Sequence, residues 1–582
     1  MELRPITANP SQIMVEQLAE LGVKYVFNNS GSREAHFFDA LNSNPKIHGI
    51  LGLHEGSVAA MAGGYAQVNL DPAVMLVHLG AGLAQCLGQL YNVWYGSLPV
   101  VVITFAGDSG SYTDRVSLDL SHSFAPTSIA APMAKATWSI IEPEGLPQAI
   151  YRAIHVAKTP PVGPVHLAVY DRVLNNDQVS TNIIETDILD LHVGYPDDDD
   201  VEKMARLLHD AERPVVYIGD GIWKNRAESE ATALVENYGL PVFHVWGDLR
   251  SIPLKHRFRC GQMGAVESLD PDLILCLGVR HPGLGIPHDY HAFTDGRKVV
   301  AIGSDPANIK NIPGVDFAIL ADEKRTLARL NELAWNHSKS HRLELRRTWA
   351  QTQAMSIHAQ RVKSERSSRP QSGRVRPWLL RDVLDEALDS RDGGLITIEQ
   401  YVVPIENLAK SEDLGNNVYM IAAGGSEGYG VGAAIGAKLA ALDRPVVGLV
   451  GDGSLCYADS GLWTAAHHGI PLLYVISNNQ SYGVVAYHFG RAKGSTMEKT
   501  DEYPGVVLNG IDPVKIAEGF GVEAMRVKDE SCIKDSIERG LEVVEREGRP
   551  FLLDVQLPLN LPNDGRGVEP FQVTNIGYKE EF

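Results

Sequence analysis

Asp452 and Asn479 are the residues whose types and spacing speak most directly of chemistry. Asp452 lies between two glycines at the end of an apolar run, PVVGLV (445–450). A helix-length segment follows, then a second apolar run, PLLYVIS (471–477), and the pair Asn478–Asn479. A strand ending in Gly-Asp-Gly lets the backbone approach a phosphate closely and aims a carboxylate into the crevice above a parallel sheet. The second strand of such a βαβ unit delivers an amide oxygen to the same crevice. Hard oxygens of this kind suit an octahedral Mg²⁺ that bridges a diphosphate to protein. The chain carries its own control. YIGDGIW (217–223) also holds Gly-Asp-Gly, around Asp220, with no asparagine pair after a following strand. It reads as an ordinary strand-end turn.

Three further residues stand at predicted element ends. Glu55, in GILGLHEGSVAAMAGGYAQ (49–67), follows a short apolar strand and begins a small-residue helix able to pack closely on a neighbour. A Glu in a first helical turn also simply complements the helix dipole. His78 closes the strand AVMLVHL (73–79), where it is either a core histidine or a group at the crevice. Ser32, in NNSGSRE, precedes the helix-like EAHFFDAL and by itself reads as a helix N-cap.

The elements that must position these residues are apolar strands alternating with helical patterns along the chain. They include VKYVF (23–27), LPVVVITFA (98–106), PVVYIG (214–219), DLILCLGV (272–279), LITIE (395–399) and PFLLDVQL (550–557). Continuous apolar strands between helices mean parallel sheets covered on both faces. The expected fold is α/β, with three doubly wound parallel-sheet domains. The acidic stretch GYPDDDD (194–200) and the segment SERSSRPQSGRVRP (364–377) divide the chain. The expected units are residues 1–185, 195–345 and 375–560, with a C-terminal tail at 561–582.

The chain has 582 residues and a net charge of −20, which argues against nucleic acid or an anionic membrane as partner. The five cysteines form no CxxC and read mostly as buried thiols of a reducing compartment. No signal-like or membrane-spanning run is present in the sequence. A soluble cytoplasmic protein is expected.

These motifs resemble those of the thiamine-diphosphate (ThDP) enzyme superfamily that includes pyruvate decarboxylase, acetohydroxyacid synthase and benzoylformate decarboxylase. The likeness runs over nearly the whole chain and is strongest to benzoylformate decarboxylase. It is carried by VFNNSGSREAHFF (26–38), LHEGSVAAMAGGYAQ (53–67), VHLGAG (77–82), AAGGSEGYGVGAAIG (422–436) and the stretch from Gly451 to Gly483. The resemblance implies pyrimidine-binding, central and diphosphate-binding domains in that order, with ThDP and Mg²⁺ as cofactors. It puts the carboxyl of Glu55 on N1′ of the aminopyrimidine, where it favours the tautomer that deprotonates the thiazolium. It assigns Mg²⁺ to Asp452, Asn479 and the backbone carbonyl of Ser481. Gly425, Glu427, Gly451, Gly453, Ser454 and Tyr482 would complete the cofactor site. On the substrate side it points to Ser32, His78 and a central-domain histidine, His281 with His288 competing; Val485 and His488 would line the pocket. Glu427 falls where the family places a large apolar residue beneath the thiazolium, so either the Gly-rich loop slips by one residue or the site does modified chemistry. FAD is not expected, because LGVRHPG lacks a following acidic pair.

The activity implied is a C–C lyase that decarboxylates a 2-oxo acid. The same residues would serve a carboligase or synthase, or a lyase or hydrolase of 2-hydroxyketones or diketones; an inactive ThDP-binding subunit is the non-enzymatic alternative. The family's sites lie between subunits, which implies a homodimer or homotetramer.

Overall fold

Runs such as Val100–Ala106, in which every residue is buried, form the centres of three separate six-stranded sheets. The computed structural model describes residues 2–558 apart from 108–125, 281–292, 406–415, 486–504 and shorter stretches of one to four residues. All pairings within the three sheets are parallel, as buried strands with helical crossovers require.

In the first sheet the spatial order is His48–Leu51, Tyr25–Asn28, Ala73–His78, Val100–Ala106, Val165–Tyr170, Ala136–Ile140. In the third it is Val418–Ile421, Leu395–Glu399, Val446–Gly451, Leu473–Asn478, Phe551–Gln556, Glu523–Val527. Numbered within each unit, both sheets run 2-1-3-4-6-5. The middle sheet, built from Pro214–Ile218, Val242–His244, Arg259–Gln262, Leu273–Leu277, Lys298–Gly303 and Val315–Leu320, runs 3-2-1-4-5-6. Leu3–Ala8 and Val179–Ile184 pair as an antiparallel ribbon beside the first sheet. The buried amide of Gln17 clamps that ribbon through both the N–H and the C=O of Ile184.

The first and third units meet through equivalent helices. Glu55–Asn69 connects the second and third strands of its unit, and Gly430–Ala440 does the same in the other. Their small residues bring the two backbones into contact. A Cβ on Gly436 would lie 1.9 Å from the carbonyl oxygen of Met61, and one on Gly64 would lie 2.2 Å from that of Ala433. The apolar side chains of both helices belong to one continuous core.

The middle unit is fastened to the first by charge. Asp220 is buried and accepts from Arg280 Nε at 2.8 Å, Arg280 Nη2 at 2.6 Å and Lys224 Nζ at 2.6 Å. The same two cations donate to the first unit, Arg280 to Tyr95 O and Ser97 Oγ, Lys224 to Gly96 O. The first Gly-Asp-Gly is thus a strand-end turn, as its lack of an asparagine pair predicts, but one that also anchors a domain contact.

Among the described residues no helix is long and apolar enough to cross a membrane. Cys86, Cys260 and Cys276 are buried, while Cys456 and Cys532 are exposed.

Candidate active site

Every strand in the third sheet points the same way, so its C-terminal ends form one rim, and the sequence places polar groups there. Val446–Gly451 ends in Gly-Asp-Gly, and Asp452 starts the helix Asp452–Ala458. The neighbouring strand Leu473–Asn478 delivers Asn479, after which Gln480 adopts a left-handed φ of 56° and turns the chain toward Ser481. One terminal atom of the Asn479 amide lies 2.9 Å from Ser481 O and 3.1 Å from Asp452 Oδ1. With nitrogen at that position the amide bonds both oxygens. With oxygen there, three oxygens converge on one point, a donor set for a small hard cation.

Asp452 itself argues for such a cation. Its side chain is buried and, among the described residues, its Oδ2 has no hydrogen-bond partner. Burial pushes its carboxyl up to about 7 against the pull of backbone N–H groups. A cation would satisfy the orphaned oxygen and reverse that penalty. Among the described residues no three His, Cys, Asp or Glu side chains cluster for a metal; the set here is one carboxylate, one amide and one carbonyl.

The cavity beside these oxygens measures about 260 Å³. Gly451, Gly453, Ser454 and Tyr482 line it, with Val484 and Val485 at its side. A Cβ on Gly453 would meet the Tyr482 ring at 2.7 Å, so glycine keeps this wall thin. Glu427 also lines the cavity, its Oε2 accepting from Ser454 Oγ at 2.5 Å. Burial raises its carboxyl, while bonds from Ser454 and Tyr401 oppose the shift. Gly425, with φ 71°, belongs to the same loop but is not among the residues lining the cavity.

The loop is held from behind by Glu399, a buried acid at the end of its strand. Its two oxygens accept from the N–H groups of Gly428, Tyr429 and Gly430 at 2.6, 2.9 and 2.7 Å. Burial, and then the charge of Glu427, push Glu399 up to about 8. From the first unit, Gln89 donates to Glu427 O at 2.5 Å and Asn92 to Ser426 O at 2.7 Å. Sequence reasoning missed Glu399, Gln400, Tyr401 and Tyr457, the last three of which line the cavity. An acid closing the apolar strand LITIE is the signal that would have found Glu399.

A second group of residues gathers on the rim of the first sheet. Ser32, Glu55 and His78 follow three adjacent strands, Tyr25–Asn28, His48–Leu51 and Ala73–His78. Ser32 is exposed and opens a short 3-10 turn without acting as a side-chain cap. Glu55 begins its helix with its carboxyl against the Cα of Gly82, where an added Cβ would lie 3.1 Å from Oε1. His78 Nδ1 lies 2.9 Å from both carboxyl oxygens of Glu34, another residue that sequence reasoning missed. None of the three lines the Asp452 cavity, whose lining comes from the third unit. His281, His288, His488 and the tail at 561–582 lie outside the described residues.

Two strand-end rims, one with oxygens suited to a cation and one with acid and imidazole, are what the resemblance to three-domain ThDP enzymes implies. The comparisons agree. Family models described as the N-terminal TPP binding domain, the central domain and the C-terminal TPP binding domain of thiamine pyrophosphate enzymes match residues 9–124, 201–330 and 406–555. The chain belongs to the thiamine pyrophosphate enzyme family. Benzoylformate decarboxylase of Pseudomonas aeruginosa is 29% identical over 93% of this chain and 97% of its own. The acetolactate synthase large subunit of Corynebacterium glutamicum is 26% identical over 94% of this chain and 86% of its own. The solved structure of a thiamine diphosphate-dependent 4-hydroxybenzoylformate decarboxylase from Rhodococcus jostii RHA1 superposes with a TM-score of 0.77 at 25% identity, covering 95% of this chain and 99% of that one.

Proposed function

We propose that this chain is a ThDP- and Mg²⁺-dependent C–C lyase that decarboxylates a 2-oxo acid. The observation that carries the reading is the meeting of Asp452 Oδ1, Ser481 O and the end of the Asn479 amide beside a cavity, with a carboxylate oxygen of Asp452 orphaned among the described residues. Those three residues would hold Mg²⁺, and Ser454 and the glycines at 451 and 453 would lie against the diphosphate. ThDP, when bound, supplies a carbon nucleophile and an electron sink. Glu55 would hold the proton at N1′ of the aminopyrimidine. His78 would move a proton at the substrate, and Ser32 would orient it.

The rims carry complementary halves of such a site, and the cavity's lining does not include the first-unit residues. This favours a homodimer, or a dimer of dimers, in which a second copy contributes Glu55 and His78. A small carbonyl compound is the partner; net charge and the absence of an apolar spanning helix among the described residues favour neither nucleic acid nor membrane.

One observation keeps a second reading, a carboligase. A relative named acetolactate synthase matches over nearly the same length as one named benzoylformate decarboxylase. The test is CO₂ release from aromatic and aliphatic 2-oxo acids, with ThDP and Mg²⁺, with and without an acceptor aldehyde. Turnover that collapses in Glu55→Gln supports the lyase. Product that forms only with the acceptor favours the ligase, and no CO₂ from any acid rejects decarboxylation.

A further inference from the structure

We propose that Glu34 is a positioning residue that fixes the tautomer of His78, making the pair a proton-handling dyad on the rim of the first sheet. The proposal rests on the reading of His78 as the group that moves a proton at the substrate.

Glu34 has no solvent exposure. Its Oε1 and Oε2 each lie 2.9 Å from His78 Nδ1. A carboxylate only accepts, so Nδ1 must carry the hydrogen, and the exchangeable lone pair of the neutral ring is placed on Nε2. The His78 side chain keeps 23% exposure, so the ring is not sealed as a core histidine would be. Among the described residues no other hydrogen bond to the ring is present.

The surrounding backbone is built to hold this ring. A Cβ on Gly31 would lie 2.1 Å from Nδ1 and 2.3 Å from Cγ, so the loop touches the imidazole where a side chain would stand. The loop is itself fastened to its neighbours. Asn29 Nδ2 donates to Gly52 O at 3.1 Å, just ahead of Glu55, and Arg33 pairs with Asp171 at the end of another strand. Contrast His166 in the same unit, which is fully buried between Thr137 and Thr104 and is pushed down to about 3. That is a histidine used for structure. His78 has a carboxyl on one nitrogen and access at its edge.

The step is a simple transfer. Nε2 takes a proton from water, the ring becomes imidazolium, and Glu34 offsets its charge without itself taking the Nδ1 proton. Nε2 then delivers that proton at the substrate, where it takes the place of the carboxylate that leaves as CO₂, so the dyad ends as it began.

The test uses full-length holoenzyme labelled with ¹⁵N-histidine, with the His78 signals assigned by their loss in His78→Phe. In wild type, with the ring neutral, Nδ1 is expected to carry the hydrogen and Nε2 to be bare. In Glu34→Gln the single tautomer should be lost. The kcat for the best 2-oxo acid of the panel should fall by on the order of 10²-fold, with KM and ThDP affinity changed less than about twofold. Glu34→Asp should recover part of both signals. An unchanged tautomer in Glu34→Gln, or an unchanged kcat, overturns the proposal. Full kcat in His78→Phe would instead remove the underlying reading, and the nitrogen signals separate that failure from a failure of the dyad.

Discussion

The chain uses Gly-Asp-Gly twice at strand ends, and the two aspartates have opposite electrostatic lives. At Asp220, burial alone would raise the carboxyl, but Arg280 and Lys224 outweigh it and hold the group down to about 2. At Asp452 burial outweighs the backbone N–H groups that oppose it, and the carboxyl rises to about 7. The glycines do related work in both places. A Cβ on Gly221 would meet the backbone oxygen of Gly278 at 2.8 Å, and one on Gly453 the ring of Tyr482 at 2.7 Å. The tripeptide therefore supplies close approach at a strand end, and the neighbours decide its use. Filled with protein cations, the turn is a rivet between domains. Left short of positive charge beside a cavity, it is where we propose that a metal binds.

This contrast can be broken or sharpened by substitution. The largest effect is expected at the chemistry itself. Glu55→Gln should lower CO₂ release by roughly 10²–10⁴-fold, the usual scale for a proton-handling group, read by steady-state kinetics with saturating ThDP and Mg²⁺. Next, Asp452→Asn should weaken Mg²⁺-dependent ThDP binding by on the order of 10²-fold, the upper end of the scale seen when even an outer-shell metal partner is removed. Asp220→Asn should leave that affinity nearly unchanged. Tryptophan fluorescence titration reads both, and equal losses would end the distinction.

Stability should invert the order. Asp220→Asn strands Lys224 and Arg280 in a buried site and should cost about 3–5 kcal/mol. The sign with pH follows from its lowered folded value. Its contribution is complete above the ordinary carboxyl value of 3.8 and is lost as pH falls from there toward about 2. Asp452 has the raised folded value, so in the metal-free protein its penalty grows as pH rises from 3.8 through about 7. Chelator-treated Asp452→Asn should then be more stable than wild type at pH ~8, by about 1–3 kcal/mol. Urea unfolding of the two variants, with and without chelator, checks both signs. The smallest effects are steric. Gly221→Ala, pressed against backbone, should destabilise by about 1–3 kcal/mol. Gly453→Ala, pressed against the side chains of Tyr482 and Leu508, should instead show mainly as weaker ThDP binding.

The third-unit site was legible because its residues sit in one βαβ stretch. A strand end, a helix length and an asparagine pair put Asp452 and Asn479 on adjacent strands without any knowledge of distant packing. Parallel sheets were equally legible from continuous apolar strands such as VVVITFA. What could not be seen were partners distant in sequence or hidden by a neutral local pattern. Glu34 is two residues from Ser32, which sequence reasoning did consider, yet its burial and its bond to His78 appear only once the loop folds over the strand end. Arg280 read as part of a failed nucleotide motif, when its guanidinium was committed to Asp220, 60 positions earlier in the chain. Strands with mixed exposure, such as Ala136–Ile140 and Glu523–Val527, carried too weak a pattern to be named in advance.

The shared strand order of the first and third sheets has a further meaning. Their equivalent helices cross with backbones touching, so one chain already contains an internal pair related much as two copies in a twofold dimer would be. In that view one chain carries two units of the same strand order with different residues on their rims: Glu55 and His78 on one, Asp452 and Asn479 on the other. The glycines at 64 and 436 are the seam between the two units: enlarge either, and both must shift together.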